Sequence, residues 1–308
     1  MSIRSALPHL LPSAFSGERF VFDGIACTTA GSGAPLALVH SINAAASMDE
    51  VRPLYEHFKA SRTVFAIDLP GYGHSHRPDI AYSPRLMTDA LQGLAAQVAQ
   101  RCGAQPLDAL AVSLSCEYLA RAAAEQPTRW GRLALVSPTG FSGTKSLRGA
   151  PGSTRGKPWL HRQLSRPIWA QWLFEKLTKP GVVRYFLERT WGGKAIDEAM
   201  FEQAVRSARE PGARFAPLHF LAGNLFSADI DDIYDALTQP VWMSHGVRGD
   251  FTDYRKQSLV EGRPNWRFTV FDTGALPYFE RRAEFMTAFE AFLAAAPQRP
   301  DPAAPAAP

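Results

Sequence analysis

The sequence predicts an α/β protein with a mostly parallel central sheet, helices on both faces and an inserted helical cap. In residues 18–141, short apolar stretches typical of buried strands alternate with helical periodicity. That alternation stops over residues 142–237, where helical periodicity and aromatic residues dominate, and it resumes over 238–295. One sheet interrupted in this way is expected to carry the inserted helices over the carboxyl edge of its strands, where open α/β sheets bind ligands.

The individual elements follow from local patterns. Segments 20–24 and 25–31 meet at Asp23-Gly24, a dipeptide typical of a β-hairpin turn. The remaining strands are predicted at 35–40, 63–69, 107–113, 132–138, 240–246 and 266–274. Helices are predicted at 48–59, 86–101, 114–126, 254–261 and 281–295. The 18–141 and 238–295 segments therefore form the α/β core, and 142–237 forms the cap.

The bulk properties exclude several classes of protein. The 33 basic and 29 acidic residues give a net charge of +4 without a run of like charges, so no nucleic-acid partner is expected. No apolar stretch reaches the roughly 18 residues that a membrane span needs. Three cysteines without CxxC spacing favour reduced thiols and a cytoplasmic location. The Pro/Ala-rich residues 296–308 are expected to be disordered.

The segment from Leu110 to Glu117 holds the most informative motif. An apolar strand runs directly into a helix, with Ser113 at the junction and the small residues Ala111 and Ser115 two positions away on either side. This A-x-S-x-S pattern is a variant of the G-x-S-x-G nucleophile elbow, whose sharp turn requires small flanking residues. The alternative is that Ser113 only caps the following helix. The order of the surrounding strands and helices favours the elbow.

Here the chain resembles the α/β-hydrolase superfamily, and the resemblance extends from about residue 18 to residue 293. Residues 64–78, VFAIDLPGYGHSHRP, are similar to the family's D-x-P-G-x-G-x-S loop. Residues 37–43 resemble the strand and oxyanion loop of the family. The resemblance implies that Ser113 is the nucleophile, that the Leu114 and Ile42 backbone N–H groups form the oxyanion hole, and that His40 orients the oxyanion loop.

The segments that match the other two members of the family's catalytic triad depart from the family pattern. Residues 245–254, HGVRGDFTDY, resemble the acid-bearing turn with one residue added, which implies Asp250 as the acid and Asp253 as the alternative. Residues 273–285 resemble the loop usually written G-H-x-P-x-x-E. In this chain Gly274 is followed by Ala275, so alanine stands where the family carries the histidine base.

Three explanations fit Ala275. The alanine can be a substitution introduced to trap a ligand, another histidine can serve as base, or the site can be naturally non-hydrolytic. His219 in the predicted cap is a candidate substitute, because a cap can place a side chain over Ser113. His245 ends the strand before the acid turn and is interpreted as a packing or orienting residue.

The resulting hypothesis is a serine hydrolase acting on a small or medium apolar ester, thioester or related acyl substrate. No Gly-rich phosphate loop or metal-ligand spacing is present, so no cofactor or metal is expected. Two alternatives remain open. One is a non-catalytic ligand-binding protein with this fold, and the other is a cofactor-free lyase or isomerase that uses the oxyanion hole for an enolate.

If position 275 is the base position, Ala275→His should raise ester hydrolysis at least about 100-fold, since a positioned general base contributes that factor or more. Hydrolysis of an ester panel, with Ser113→Ala as the inactive reference, measures the gain. An unchanged rate would remove the assignment of Ala275 to the base position.

Overall fold

The computed structural model describes residues 15–295, so the Pro/Ala-rich segment predicted to be disordered (296–308) lies outside the described residues. The strands are β1 (Glu18–Phe22), β2 (Ile25–Ala30), β3 (Pro35–Val39), β4 (Thr63–Ile67), β5 (Leu107–Val112), β6 (Trp130–Val136), β7 (Val241–Gly246) and β8 (Trp266–Phe271). The predicted strands are confirmed, although several end one to three residues earlier than the apolar patterns suggest.

The helices of the core flank these strands. They are α1 (Arg52–Phe58), α2 (Pro84–Cys102), α3 (Ser115–Glu125), α10 (Ser258–Glu261), α11 (Pro277–Glu280) and α12 (Arg282–Ala294). Two 3₁₀ turns, Met48–Val51 and Arg255–Gln257, precede α1 and α10. The helix predicted over 48–59 therefore begins with a tighter turn, and the one predicted over 281–295 is preceded by the short α11.

The 142–237 segment between the two halves of the sheet contains six helices. They are α4 (Pro158–Leu164), α5 (Ala170–Leu177), α6 (Pro180–Trp191), α7 (Glu198–Ser207), α8 (Phe215–Leu221) and α9 (Ile230–Asp235). We keep the name cap for residues 142–237. No helix in the described part of the chain is long and apolar enough to cross a bilayer.

The eight strands form one sheet in the order β1-β2-β4-β3-β5-β6-β7-β8. The β1–β2 and β2–β4 pairs are antiparallel, and all other pairs are parallel. The β1–β2 hairpin turns at Asp23 (φ 48°) and Gly24 (φ 78°), two consecutive positive φ values that match the predicted turn chemistry. The chain moves outward from β3 to β4 and then returns to β5 on the other side of β3, so the sheet's topological switch point lies between β3 and β5.

A large apolar cluster covers each face of the sheet. On one face, Phe289 of α12 is fully buried, with its ring centroid 5.1 Å from that of Phe58 and 5.5 Å from that of Trp242. Phe289 therefore joins α12 to both α1 and β7, and burial of the three aromatic rings is a major apolar contribution on this side.

Phe289→Ala should lower the free energy of unfolding by about 3–5 kcal/mol, because it removes a fully buried aromatic ring and leaves a cavity. Urea denaturation measures the change. Leu259→Ala, at a residue that is 52% exposed, is the control and should stay within about 0.5 kcal/mol. A similarly small loss for Phe289→Ala would contradict this description of the core.

Candidate active site

Ser113 occupies the turn between β5 and α3 in a left-handed backbone conformation, with φ 55°. A non-glycine residue with positive φ is disfavoured and persists only where its surroundings hold it. The Ser113 N–H donates to the Val136 carbonyl at 2.8 Å, and its own carbonyl accepts from the Cys116 N–H at 3.1 Å. These bonds to the neighbouring strand and to the first turn of α3 maintain the conformation that the elbow pattern predicts.

Two backbone donors beside Ser113 have the character expected of an oxyanion hole. Among the bonds formed by residues 15–295, neither the Leu114 N–H nor the Ile42 N–H donates a hydrogen bond. Leu114 directly precedes α3, whose N-terminal end carries partial positive charge. Both N–H groups are therefore available to an oxygen that gains negative charge.

The predicted oxyanion loop follows β3 and is hydrogen-bonded to the turn that holds Ser113. Ser115 donates its hydroxyl to the His40 carbonyl at 2.5 Å. The Leu69 N–H donates to Nε2 of the His40 ring at 3.0 Å, and Nδ1 of the same ring lies 2.5 Å from the Ser41 carbonyl oxygen. An imidazole that accepts at Nε2 and donates at Nδ1 is neutral, and burial lowers the His40 pKa accordingly. The ring is thus used in positioning the loop.

Ser113 and Ile42 line one cavity of about 70 Å³. Its apolar walls are Ile42, Val112, Leu187, Met200, Phe251 and Leu276, and its polar groups belong to Ser41, Asn43, Glu50, Ser113, Ser137 and Thr190. Ala275 completes the lining. The cavity lies at the carboxyl ends of β3 and β5, at the sheet's switch point, where open α/β sheets bind ligands.

Ala275 is held by backbone contacts on both sides. Its N–H donates to the Thr190 carbonyl at 2.8 Å, and its carbonyl accepts from the Ser137 hydroxyl at 2.7 Å. Glu280 accepts the Gly274 N–H at 2.7 Å and pairs with Arg248. The structure therefore brings Ala275 to the same cavity as Ser113, and the loop offers a methyl group there.

Neither of the two candidate acids lines this cavity. Asp250 is paired with Arg189 at the surface, with one N–H···O distance of 2.6 Å, and is not among the residues lining the cavity. Asp253 accepts the Gly143 N–H at 2.9 Å and pairs with Arg255, whose hydrogen bond is the main reason its pKa lies far below the usual range. Neither carboxylate lines the cavity, and both are engaged by arginine side chains.

His219 does not line the Ser113 cavity either. Its ring stacks on that of His161, with centroids 3.7 Å apart, and its Nδ1 lies 2.9 Å from the Asn224 amide nitrogen. Partial burial, together with the neighbouring His161, lowers the His219 pKa to about 4, so the ring is neutral at pH 7. His245 stacks on Tyr254 with centroids 3.9 Å apart, in keeping with a packing role.

Glu50 is the cavity residue that the sequence patterns did not single out. It lies in the buried 3₁₀ turn Met48–Val51, and its Oε2 accepts both the Ser41 hydroxyl (2.7 Å) and the Ser41 N–H (3.1 Å). Burial raises its pKa to about 7, against the opposing effect of the two Ser41 bonds. Perturbed carboxyl groups in cavities are a common feature of functional sites. Helical periodicity over 48–59 gave no reason to place this carboxyl group inside the molecule.

Glu117 of α3 is a second fully buried carboxyl group, outside the cavity. It accepts the Thr139 hydroxyl at 2.5 Å and the Ser227 N–H at 2.8 Å, so it joins α3 to the cap. Burial is the main cause that raises its pKa to about 7. Among residues 15–295, no three His, Cys, Asp or Glu side chains converge as a metal site would require.

The sheet order and the serine turn together define an α/β-hydrolase type of architecture. The chain belongs to the α/β hydrolase family, whose family model matches residues 36–289. A search of curated protein sequences finds no match.

Solved structures with the same fold include proteins of several activities. The epoxide hydrolase CorEH is 20% identical with a TM-score of 0.68, covering 91% of this chain and 98% of the other. A thermophilic esterase from Thermogutta terrifontis is 18% identical with a TM-score of 0.65, covering 87% and 92%. The enol-lactonase from Burkholderia xenovorans LB400 is 15% identical with a TM-score of 0.67, covering 90% and 100%. At these identities the likeness establishes the fold.

The free energy of unfolding should fall as pH rises from about 5 to 7, to the extent that Glu50 and Glu117 determine it. Both folded pKa values lie above the usual value of 4.5, so the folded state holds more protons in that window. Glu117→Gln should reduce this downward slope by up to about 1.4 kcal/mol per pH unit. Urea denaturation at several pH values measures it, with Glu125→Gln at the surface as control. Parallel curves for Glu117→Gln and the unmodified chain would contradict the raised pKa.

Proposed function

We propose that this protein is a serine hydrolase that acts on a small or medium apolar ester, thioester or related acyl compound, with Ser113 as the nucleophile. The observation that carries the proposal is the left-handed Ser113 at the end of β5, lining a cavity beside two backbone N–H groups that donate no hydrogen bond to any of residues 15–295. This is the arrangement that acyl transfer requires, because negative charge develops on the carbonyl oxygen as the serine attacks.

The cavity walls support the substrate class. Six apolar side chains surround Ser113, and two of them, Leu187 and Met200, come from the cap. Such a lining favours an apolar acyl group over a charged one, since a charge would lose its hydration there. The fold is also shared with proteins named as an esterase and an enol-lactonase, which is compatible with acyl substrates.

We further propose that the Glu50 carboxylate accepts the Ser113 proton, in place of the histidine that the resemblance to the family leads one to expect at position 275. Glu50 lines the same cavity as Ser113, and its Oε2 is fixed by Ser41 of the oxyanion loop. A general base works best when its pKa is close to the working pH, and burial brings that of Glu50 to about 7. His219 and His245 are engaged in ring stacking away from this cavity, which favours Glu50 over either of them.

The reaction then follows from these roles. Ser113 Oγ bonds to the acyl carbon while its proton passes to Glu50, and the carbonyl oxygen receives hydrogen bonds from Leu114 and Ile42 N–H. The protonated Glu50 returns the proton to the departing alcohol or thiol as its bond to the acyl carbon breaks. Water, deprotonated by Glu50, then releases the carboxylic acid from Ser113, and the proton returns to Oγ.

Labelling by a fluorophosphonate probe tests the nucleophile and the base together. The unmodified chain should label at Ser113, and Ser113→Ala should not. Glu50→Gln should slow labelling at least about 100-fold, because glutamine can still accept the Ser41 bonds but cannot accept a proton. The labelling rate of the unmodified chain should also rise with pH through about 7 as Glu50 ionises.

Glu117→Gln is the matched control, because Glu117 is equally buried and has the same raised pKa but does not line the cavity. It should label at nearly the rate of the unmodified chain, with the same pH profile. If Glu50→Gln and Glu117→Gln behave alike, Glu50 is not the base. If the unmodified chain does not label at all and gains labelling only as Ala275→His, the non-catalytic binding protein becomes the better proposal.

A further inference from the structure

The cap carries a surface that is not accounted for by the chemistry at Ser113. Helices α4 and α5, with the residues that flank them, span 155–181, and we call this segment the α4–α5 surface. Helix α4 contains Trp159, Leu160 and Leu164, yet none of its residues is buried. Leu160 and Leu164 are half-buried and Trp159 is exposed, so this helix buries its apolar side only in part.

The exposed apolar side chains of the α4–α5 surface are large. Trp159 is 60% exposed, Ile168 is 89% exposed and Trp172 is 59% exposed. Single exposed apolar residues are normal, but three of this size within one short segment indicate an interaction site.

The same segment is strongly basic. Residues 155–181 hold six Lys and Arg against one acidic residue, Glu175, so this segment alone exceeds the net charge of +4 of the whole chain. Within the described residues, none of the six cations forms an ion pair. Two of them lie over indole rings instead, Arg166 over Trp169 and Lys176 over Trp172, each at 5.3 Å from the ring centroid. Acidic side chains of the described residues therefore do not neutralise the positive charge of this segment, and that charge can attract a partner.

Three kinds of partner can be compared on these properties. A second copy of the α4–α5 surface would bring five net positive charges against five, which opposes association. A nucleic acid would neutralise the charge but leave Ile168 in water. An anionic lipid surface suits both the apolar side chains and the positive charge. The indole rings and Ile168 enter the headgroup boundary, while Lys and Arg contact the lipid phosphates.

We propose that the α4–α5 surface docks the cap onto an anionic lipid bilayer, with Trp159, Ile168 and Trp172 inserted at the interface. Helix α6 follows this surface directly and carries Leu187 and Thr190 of the Ser113 cavity. Docking would therefore hold the part of the cavity wall that α6 supplies next to the lipid. Apolar compounds concentrate in lipid, so this position would favour their entry. The proposal does not depend on the identity of the base or on Ser113 chemistry.

Co-sedimentation of the full chain with vesicles tests it. The chain should bind vesicles of phosphatidylcholine containing phosphatidylglycerol, bind pure phosphatidylcholine vesicles much less, and be released at high salt, since the attraction is screened. Arg162→Gln with Arg166→Gln should weaken binding about fivefold for each cation removed. Ile168→Asn with Trp172→Asn should abolish it, and Ser113→Ala should bind unchanged.

Two double variants elsewhere on the surface are matched controls. Arg129→Gln with Arg267→Gln makes the same change in net charge, at exposed arginines that form no ion pair within residues 15–295. Leu259→Asn with Val270→Asn makes the same polar change at residues that are 52% and 53% exposed. Both should bind as the unmodified chain does. The proposal is overturned by absence of binding to the anionic vesicles, by equal loss in the controls, or by duplex DNA binding that the Ile168/Trp172 variant retains.

Discussion

The left-handed turn at Ser113 is the constraint on which the rest of this site depends. Positive φ at a serine is unfavourable, and the bonds to Val136 and Cys116 hold it only because β5 lies between β3 and β6 in the middle of the sheet. The same turn places the Leu114 N–H at the start of α3. The backbone strain, the donor and the direction of the helix are thus consequences of one junction in one central strand.

The loop that follows β3, the predicted oxyanion loop, is attached to that junction and to the 3₁₀ turn Met48–Val51 by side-chain hydrogen bonds. Ser115 fixes the His40 carbonyl, and Ser41 is fixed by Glu50. The Ser41 hydroxyl gives the carboxyl group of Glu50 a second donor beside the Ser41 N–H. Because a buried carboxyl group without donors would remain neutral, this residue choice is what makes an ionised Glu50 possible near neutral pH.

Much of this could be predicted from the sequence, because the strands, the elbow and the hairpin turn are local patterns. The role of Asp23-Gly24 and the position of Ser113 follow from neighbouring residues alone. The position of Glu50 does not, because it depends on a 3₁₀ turn that rotates the side chain inward toward a partner nine residues away. The spacing of the acid-bearing turn predicts Asp250, and its place in the cap predicts His219. Their contacts with Arg189 and His161 come from tertiary packing, which spacing along the chain does not predict.

The carboxyl end of α6, which is the negative end of the helix dipole, lies beside the cavity. The Arg189 carbonyl accepts the Asp250 N–H at 3.2 Å and the Thr190 carbonyl accepts the Ala275 N–H at 2.8 Å, so the loops that carry Asp250 and Ala275 both meet the end of this helix. A Cβ on Gly274 would lie 2.5 Å from the Thr190 carbonyl oxygen, which shows how closely the cap is seated there. The negative end of α6 therefore faces position 275, while the positive end of α3 lies at the Leu114 N–H of the proposed oxyanion hole. A field of that direction favours a proton arriving on the α6 side and negative charge growing on the α3 side, which is the charge movement of acyl transfer. Such a field would act in the same way on an imidazole placed at position 275.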